Sequence, residues 1–195
     1  MVRKELKDMT LEELWALFPI VLVPHKLEWK EWAEEEIAFL GDLLSDFSPV
    51  INHIGSTAIP TIWAKPIIDI LVEVPYEENN NSPSEIRGRI KDKERIKELM
   101  EGNGYICMSE SGDRMSFNKG YTPEEYAERV FHIHFHRVGD NDEVYFRDYL
   151  IKHPEVAKEY EVLKLGLLPE YRNNRDGYTE AKTDFVSNIT AIAKS

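Results

Sequence analysis

Between residues 28 and 47 the apolar side chains Trp29, Trp32, Ala33, Ile37, Leu40, Leu43, Leu44 and Phe47 recur every 3.6 residues. That spacing lays one apolar stripe along a helix and predicts a long amphipathic helix packed on a sheet. Before it, Thr10 and Glu13 form a capping-box pair for a short helix over 11–18, which Pro19 ends. Residues 20–23 read as a brief strand stopped by Pro24. Pro49 then admits a strand leading to Gly55-Ser56, and residues 67–74 form a buried-looking strand carrying Asp69 and Glu73.

Beyond it, 77–83 is a polar loop, and Ser84 caps a helix to about Met100, which Gly102 and Gly104 terminate. Residues 105–109 and 114–118 pair as strands, and Thr122 to Glu125 make a second capping box opening a brief helix. Residues 130–138 alternate as a strand. Two helices, about 143–167 and 178–193, complete the chain. The expected class is α+β: a mixed sheet covered by helices on one side, with a C-terminal helical extension. One domain over 1–195 is expected, its α/β core at about 20–140 and its helical extension at 143–195.

Composition narrows the classes. At 195 residues, 42% hydrophobic and 31% charged, the chain suits one substantial globular core. A net charge of −12 argues against duplex nucleic acid and anionic membranes, which recruit basic surface. No apolar run approaches the roughly 20 residues that span a bilayer. The single cysteine, Cys107, excludes an internal disulfide and a cysteine-rich zinc site, so a cytoplasmic location is expected.

Chemistry concentrates in two places. A carboxylate inside an apolar strand is costly unless paired, hydrogen-bonded or metal-bound, so Asp69 is a catalytic and metal-binding candidate. Glu73 shares its strand face, because side chains alternate. Gly55-Ser56 follows a strand, where backbone N–H groups and the Ser56 hydroxyl suit an anion, and Lys65 stands just before the acidic strand. The second place is the alternating run Phe131 to His136. It puts His132, His134 and His136 on one face, as metal ligands or, for His134, a proton acceptor near neutral pH. Arg114, Lys119 and Arg129 flank the hairpin and the brief helix, positions that suit a substrate phosphate or carboxylate. Lys164 and Lys182 each follow a tyrosine by four residues, a spacing that suits a base stacked above phosphates.

These residues together resemble the GrpB-like family, described as nucleotidyltransferases of the polymerase-β-like superfamily. The pieces that carry the resemblance are VLVPHKLEW, HIGSTAIPTIWAKPIIDILVEV, FNKGYTPEEYAERVFHIHF, YFRDYLIKHPEVAKEYEVLK and YTEAKTDFV. The resemblance implies a nucleotidyltransferase-type core in which the Gly55-Ser56 turn holds phosphates and Asp69 is the first acid of a two-metal site. Leu71 stands at the second acid's position, and histidines occupy the later strand where a third acid is expected. The expectation is therefore a protein that binds a nucleotide or other phosphate-bearing small molecule. Nucleotidyl or phosphoryl transfer to an unknown acceptor would depend on magnesium or manganese, with zinc as the alternative. Two other readings stay open: a binding module without turnover, and a His/Asp metal-dependent hydrolase. Oligomeric state is open.

Overall fold

The computed structural model describes residues 6–77 and 89–195. Most of the polar loop expected at 77–83, and the start of the helix expected from Ser84, lie outside them. Helix α1 (Leu11–Leu17) carries both capping-box bonds: Thr10 Oγ1 accepts from the Glu13 N–H at 3.2 Å, and Glu13 accepts from the Thr10 N–H at 2.8 Å. Helix α2 (Glu28–Leu43) buries Trp29, Ala33 and Leu40, as its period requires, and a separate 3-10 turn, Ser45–Phe47, completes the stripe. The strand expected at 20–23 shrinks to one bridge, Val23 to Ala64. Pro19 and Pro24 flank it and lack the N–H donors a ladder needs.

The sheet is built from β1 (Val50–Ile54), β2 (Ile68–Val74), β5 (Ile106–Glu110), β6 (Met115–Tyr121) and β7 (Tyr126–Arg137), in the order β1-β2-β7-β6-β5. Only β2 and β7 run parallel, so the sheet is mixed. A small ribbon pairs β3 (Tyr76–Glu77) with β4 (Arg89–Ile90). That ribbon corrects part of the helix expected at 84–100. Ile90 is buried as a strand residue, and Asp92 takes a positive φ of 52°, so helix α3 begins only at Lys93 and runs to Gly102.

Alternation sorts the two central strands cleanly. Ile68, Ile70, Val72 and Val74 of β2, with Phe131, Ile133 and Phe135 of β7, join Trp29, Ala33, Leu40, Ile96 and Met100 in the main core. Asp69, Leu71 and Glu73 turn to the other face, in register with His132, His134 and His136.

Two further expectations are corrected. Residues 122–125 form no helix. Thr122 Oγ1 accepts from the Glu124 and Glu125 N–H groups and donates to the Glu125 carbonyl, closing a turn that joins β6 directly to β7. The helical extension comprises four helices, not two: α4 (Asp142–Lys152), α5 (Pro154–Tyr171), α6 (Arg175–Glu180) and α7 (Thr183–Ala193). Pro154 has no N–H to continue α4 and sits instead at the start of α5. These helices gather around Ile59, Ile62, Phe146, Leu150, Ala157 and Tyr160, alongside the histidine face. The sheet is thus flanked on both faces, rather than covered on one. Among the described residues no helix is long and apolar enough to cross a membrane.

Candidate functional site

The site starts from a glycine where a side chain would be strained and crowded. Gly55 directly follows β1 with φ +71° and ψ −173°, a region almost closed to side-chain-bearing residues. A Cβ there would lie 2.5 Å from Asp69 Oδ2, so the missing side chain makes room for the carboxylate. Ser56 follows, opening a short 3-10 turn.

Asp69 lies opposite His132 in the parallel ladder. Its Oδ1 is 3.4 Å from His132 Nδ1 and 3.4 Å from His134 Nε2. One ligand atom from each of the three residues lies within 4.8 Å of the others. Burial pushes the Asp69 pKa up, but hydrogen bonds and charge from His132 and His134 take it well below the usual carboxylate range. Burial lowers the His132 pKa, against the pull of Asp69.

Two lobes meet at this cluster. One, of about 350 Å³, is walled by Ser56, Lys65, His132, Lys164, Arg175 and Lys182. The other, of about 490 Å³, is mostly apolar, with Ile54, Val186 and Ala191 beside Asp142, Glu143 and Lys194. Gly55, Asp69, His134, Phe146 and Tyr160 line both.

The cationic lobe is electrostatically loaded. Lys164, only 2% exposed, donates to Ser56 Oγ at 3.0 Å and to the Trp63 carbonyl, with its Nζ 4.8 Å from the centre of the Tyr160 ring. Burial and the neighbouring Lys182 and Lys65 bring its pKa down to about 7, despite Glu161. Burial and Lys65 bring Lys182 down to about 8, against the pull of Asp69. Burial also lowers Lys65, with Asp69 opposing and Arg175 adding to the shift. Arg175 donates from Nη1 to the Tyr121 hydroxyl at 3.0 Å and from Nη2 to the Tyr126 hydroxyl. Its Nε is buried with no hydrogen-bond partner among the described residues.

The structure therefore brings Gly55, Ser56, Lys65, Asp69, His132, His134, Lys164 and Lys182 to one cleft. It takes others away. Glu73 is buried on the same face but accepts from the Gly139 N–H at 2.8 Å and Asn141 Nδ2 at 3.2 Å, so it anchors the turn after β7 instead of facing Asp69. His136 Nδ1 donates to the Asp140 carbonyl at 2.8 Å, holding the same turn. Neither stands in the cluster of Asp69, His132 and His134. Lys119 projects from β6 to the opposite face, where it meets Glu36 at 2.9 Å and the Tyr105 ring, so it is no phosphate ligand of this cleft. Arg114 forks onto Asp140, and Arg129 pairs with Glu35 on α2.

Arg175 and Tyr121 went unrecognised in the sequence. Neither carries a spacing signal, because α6 and the end of β6 meet only through the tertiary fold.

A family model for the GrpB protein matches residues 19–191. The glutamate-rich protein GrpB of Alkalihalophilus pseudofirmus is 35% identical over 176 residues, covering 87% of this chain and 93% of that one. The UPF0157 protein YqkA of Bacillus subtilis is 31% identical over 192 residues, covering 94% of this chain but 51% of that protein, so the chain spans about half that relative's length. The crystal structure of conserved protein GrpB from Enterococcus faecalis superposes with a TM-score of 0.68 at 28% identity, over 89% of this chain and 96% of that one. At lower similarity, a MgATP-bound Cid1 poly(U) polymerase matches 80% of this chain and 47% of its own at TM-score 0.45 and 13% identity. The chain belongs to the GrpB family.

Proposed function

We propose that the cleft binds a nucleoside triphosphate, or a ligand with similarly clustered phosphates, together with one divalent cation, and transfers a nucleotidyl or phosphoryl group to an acceptor. The observation that carries this reading is the meeting of the two lobes at Asp69 and His134. One lobe is lined by four basic side chains, and the other is large and mostly apolar. Group transfer needs a donor and an acceptor side by side at one charge-handling centre.

The donor set fits one cation. Two imidazole nitrogens and a carboxylate oxygen suit manganese, zinc or a similar borderline ion better than magnesium, which prefers an all-oxygen shell. A second cation does not fit. Leu71 is wholly buried where the second acid would stand, and Glu73 is committed to the β7 turn. When bound, a single cation would neutralise phosphate charge as a Lewis acid.

The protein's own contribution is positioning and charge. The Ser56 hydroxyl, Lys65, Lys164, Lys182 and Arg175 line the lobe as donors to phosphate oxygens. Transfer of this kind gains most of its rate from such neutralisation rather than from covalent chemistry. His134 lines both lobes and is the more exposed imidazole, 35% against 19% for His132. Its Nε2 faces Asp69, so serving there as a ligand and accepting a proton there exclude one another.

Isothermal titration with manganese, zinc and magnesium, each with and without a nucleoside triphosphate, tests the binding. Labelled nucleotides offered with hydroxyl and amine acceptors test the transfer. The expected result is metal binding that fails in Asp69→Asn and nucleotide binding that weakens at least tenfold in Lys164→Met. Loss of metal binding in His134→Gln assigns the ligand role. Retained metal binding with a lost pH–rate break assigns the proton role. Tight binding without turnover makes the protein a binding module. No binding of either component overturns the proposal.

A further inference from the structure

Tyr121 holds no place in the reading above, yet it touches the site at its most constrained point. Its hydroxyl lies 2.7 Å from His132 Nε2, and its ring is inclined only 12° to the imidazole, with 5.9 Å between centroids. The same oxygen accepts from Arg175 Nη1 at 3.0 Å, and the Arg175 guanidinium lies 5.6 Å from the centre of the Tyr121 ring. The Tyr126 hydroxyl is also within hydrogen-bonding reach of Tyr121. The other imidazole nitrogen, Nδ1, faces Asp69 Oδ1 at 3.4 Å. His132 is thus bracketed by a phenol on one side and a carboxylate on the other.

A neutral imidazole carries one N–H, on one nitrogen or the other. With the proton on Nδ1, His132 donates to Asp69 and its Nε2 accepts the Tyr121 proton, so every group is satisfied without a cation. With the proton on Nε2, the imidazole donates to the Tyr121 oxygen, which has two lone pairs and already accepts from Arg175. The Tyr121 proton then turns to Tyr126, and the Nδ1 lone pair points at Asp69 Oδ1. Two electron-rich atoms facing each other repel, unless a cation lies between them.

We propose that Tyr121, held by Arg175, is a positioning residue that sets the tautomer of His132: Nδ1–H donating to Asp69 when no cation is present, and Nε2–H donating to Tyr121 when one is. No proton is lost or gained by the pair, since the imidazole proton changes nitrogen by exchange with water and Tyr121 keeps its own. Outer partners of ligating histidines fix ring orientation and raise ligand basicity in this way. The cation-bound half rests on the metal reading of the site. The cation-free half does not.

Long-range proton–nitrogen NMR of the full chain labelled with 15N-histidine reads the tautomer directly, with His132 assigned through His132→Gln. At pH 8 without metal, wild type is expected to show Nδ1–H at His132. Zinc, being diamagnetic, is expected to convert it to Nε2–H with Nδ1 shifted by coordination. Tyr121→Phe keeps the ring and removes the oxygen. It is expected to move the metal-free Nε2 resonance toward that of a free pyridine-type nitrogen and to weaken zinc about 10–100-fold. Tyr126→Phe, which leaves the Tyr121 oxygen in place, is expected to weaken zinc far less. Nε2–H in metal-free wild type, or unchanged zinc affinity in Tyr121→Phe where wild type does bind zinc, overturns the proposal. If zinc perturbs neither His132 nor His134 while the metal-free resonances behave as stated, the cation reading falls and the positioning role of Tyr121 stands.

Discussion

Anion binding in the lysine-lined lobe should fall steeply as pH rises above neutrality. Burial and neighbouring lysines, Lys182 and Lys65 for Lys164 and Lys65 for Lys182, bring Lys164 down to about 7 and Lys182 down to about 8 in the empty cleft. A bound polyphosphate offsets that repulsion, so both lysines should be protonated in the complex, and binding should take up protons wherever the empty site has lost them. Stability of the complex is therefore fully present below the empty-site values and lost above them. Between pH 7 and pH 9, Lys164 falls from half charged to almost neutral, which alone weakens binding about 50-fold, and Lys182 adds about tenfold. Because the charge on Lys182 helps depress Lys164, the two factors are coupled, and their product, about 500-fold or roughly 4 kcal/mol, is an upper bound. Phosphate second ionisations lie near pH 6, so the ligand's own charge stays almost constant over this window. Isothermal titration of a nucleoside triphosphate at pH 7, 8 and 9, in two buffers of different ionisation enthalpy, gives affinity and proton uptake together. Lys164→Met should bind more weakly at pH 7 and keep only the shallower slope due to Lys182, with a melting curve showing that the protein remains folded. A flat wild-type profile with no proton uptake would refute the electrostatic account of the lobe.

Three further outcomes are expected. Gly55→Ala forces a side chain into a glycine-only backbone region and against Asp69, costing about 1–3 kcal/mol in a chemical denaturation series and abolishing metal binding. Glu73→Gln should leave metal affinity unchanged, whereas Glu73→Ala strands the Gly139 and Asn141 donors and should destabilise by about 1–3 kcal/mol; a loss of metal binding in Glu73→Gln would restore Glu73 to the site. Ala191→Trp narrows the apolar lobe and should leave nucleotide affinity within about twofold while suppressing transfer, as measured with labelled nucleotide, because only the acceptor's space is filled.

The fold was most legible where local chemistry decides the outcome. Thr10 and Glu13 carry their own cap, and the stripe from Trp29 to Phe47 names the face of α2 that meets the sheet. Strand alternation likewise placed Asp69 with Leu71 and Glu73, and His132 with His134 and His136, before any pairing was known. Alternation assigns a face but not what comes to lie over it. Glu73 and His136 share the site's face, yet the chain returning at Gly139 to Asn141 claims both. Lys119 was misjudged because the strand expected to end at 118 runs on to Tyr121, so Lys119 shares the core-side face of Met115 and Phe117. Pro154 starts α5 within the span 143–167 expected as one helix, because a residue without an N–H suits a first turn and not a helix interior. Arg175 left no local signal, since its partners Tyr121 and Tyr126 lie some 50 positions earlier in the chain.

The parallel pairing of β2 with β7 also bears on how the chain avoids folding wrongly. A slip of one residue along β7 would drive His132, His134 and His136 into the oily layer beneath α2 and turn Phe131, Ile133 and Phe135 toward the polar cleft and the Glu73-anchored turn. The penalty falls on both sides of the strand at once, so mispaired sheets are disfavoured during assembly. Variants that replace the histidines with apolar residues should therefore form more misregistered and aggregated species, whatever their effect on ligands. The polar side chains that line the cleft also proofread the strand that carries them.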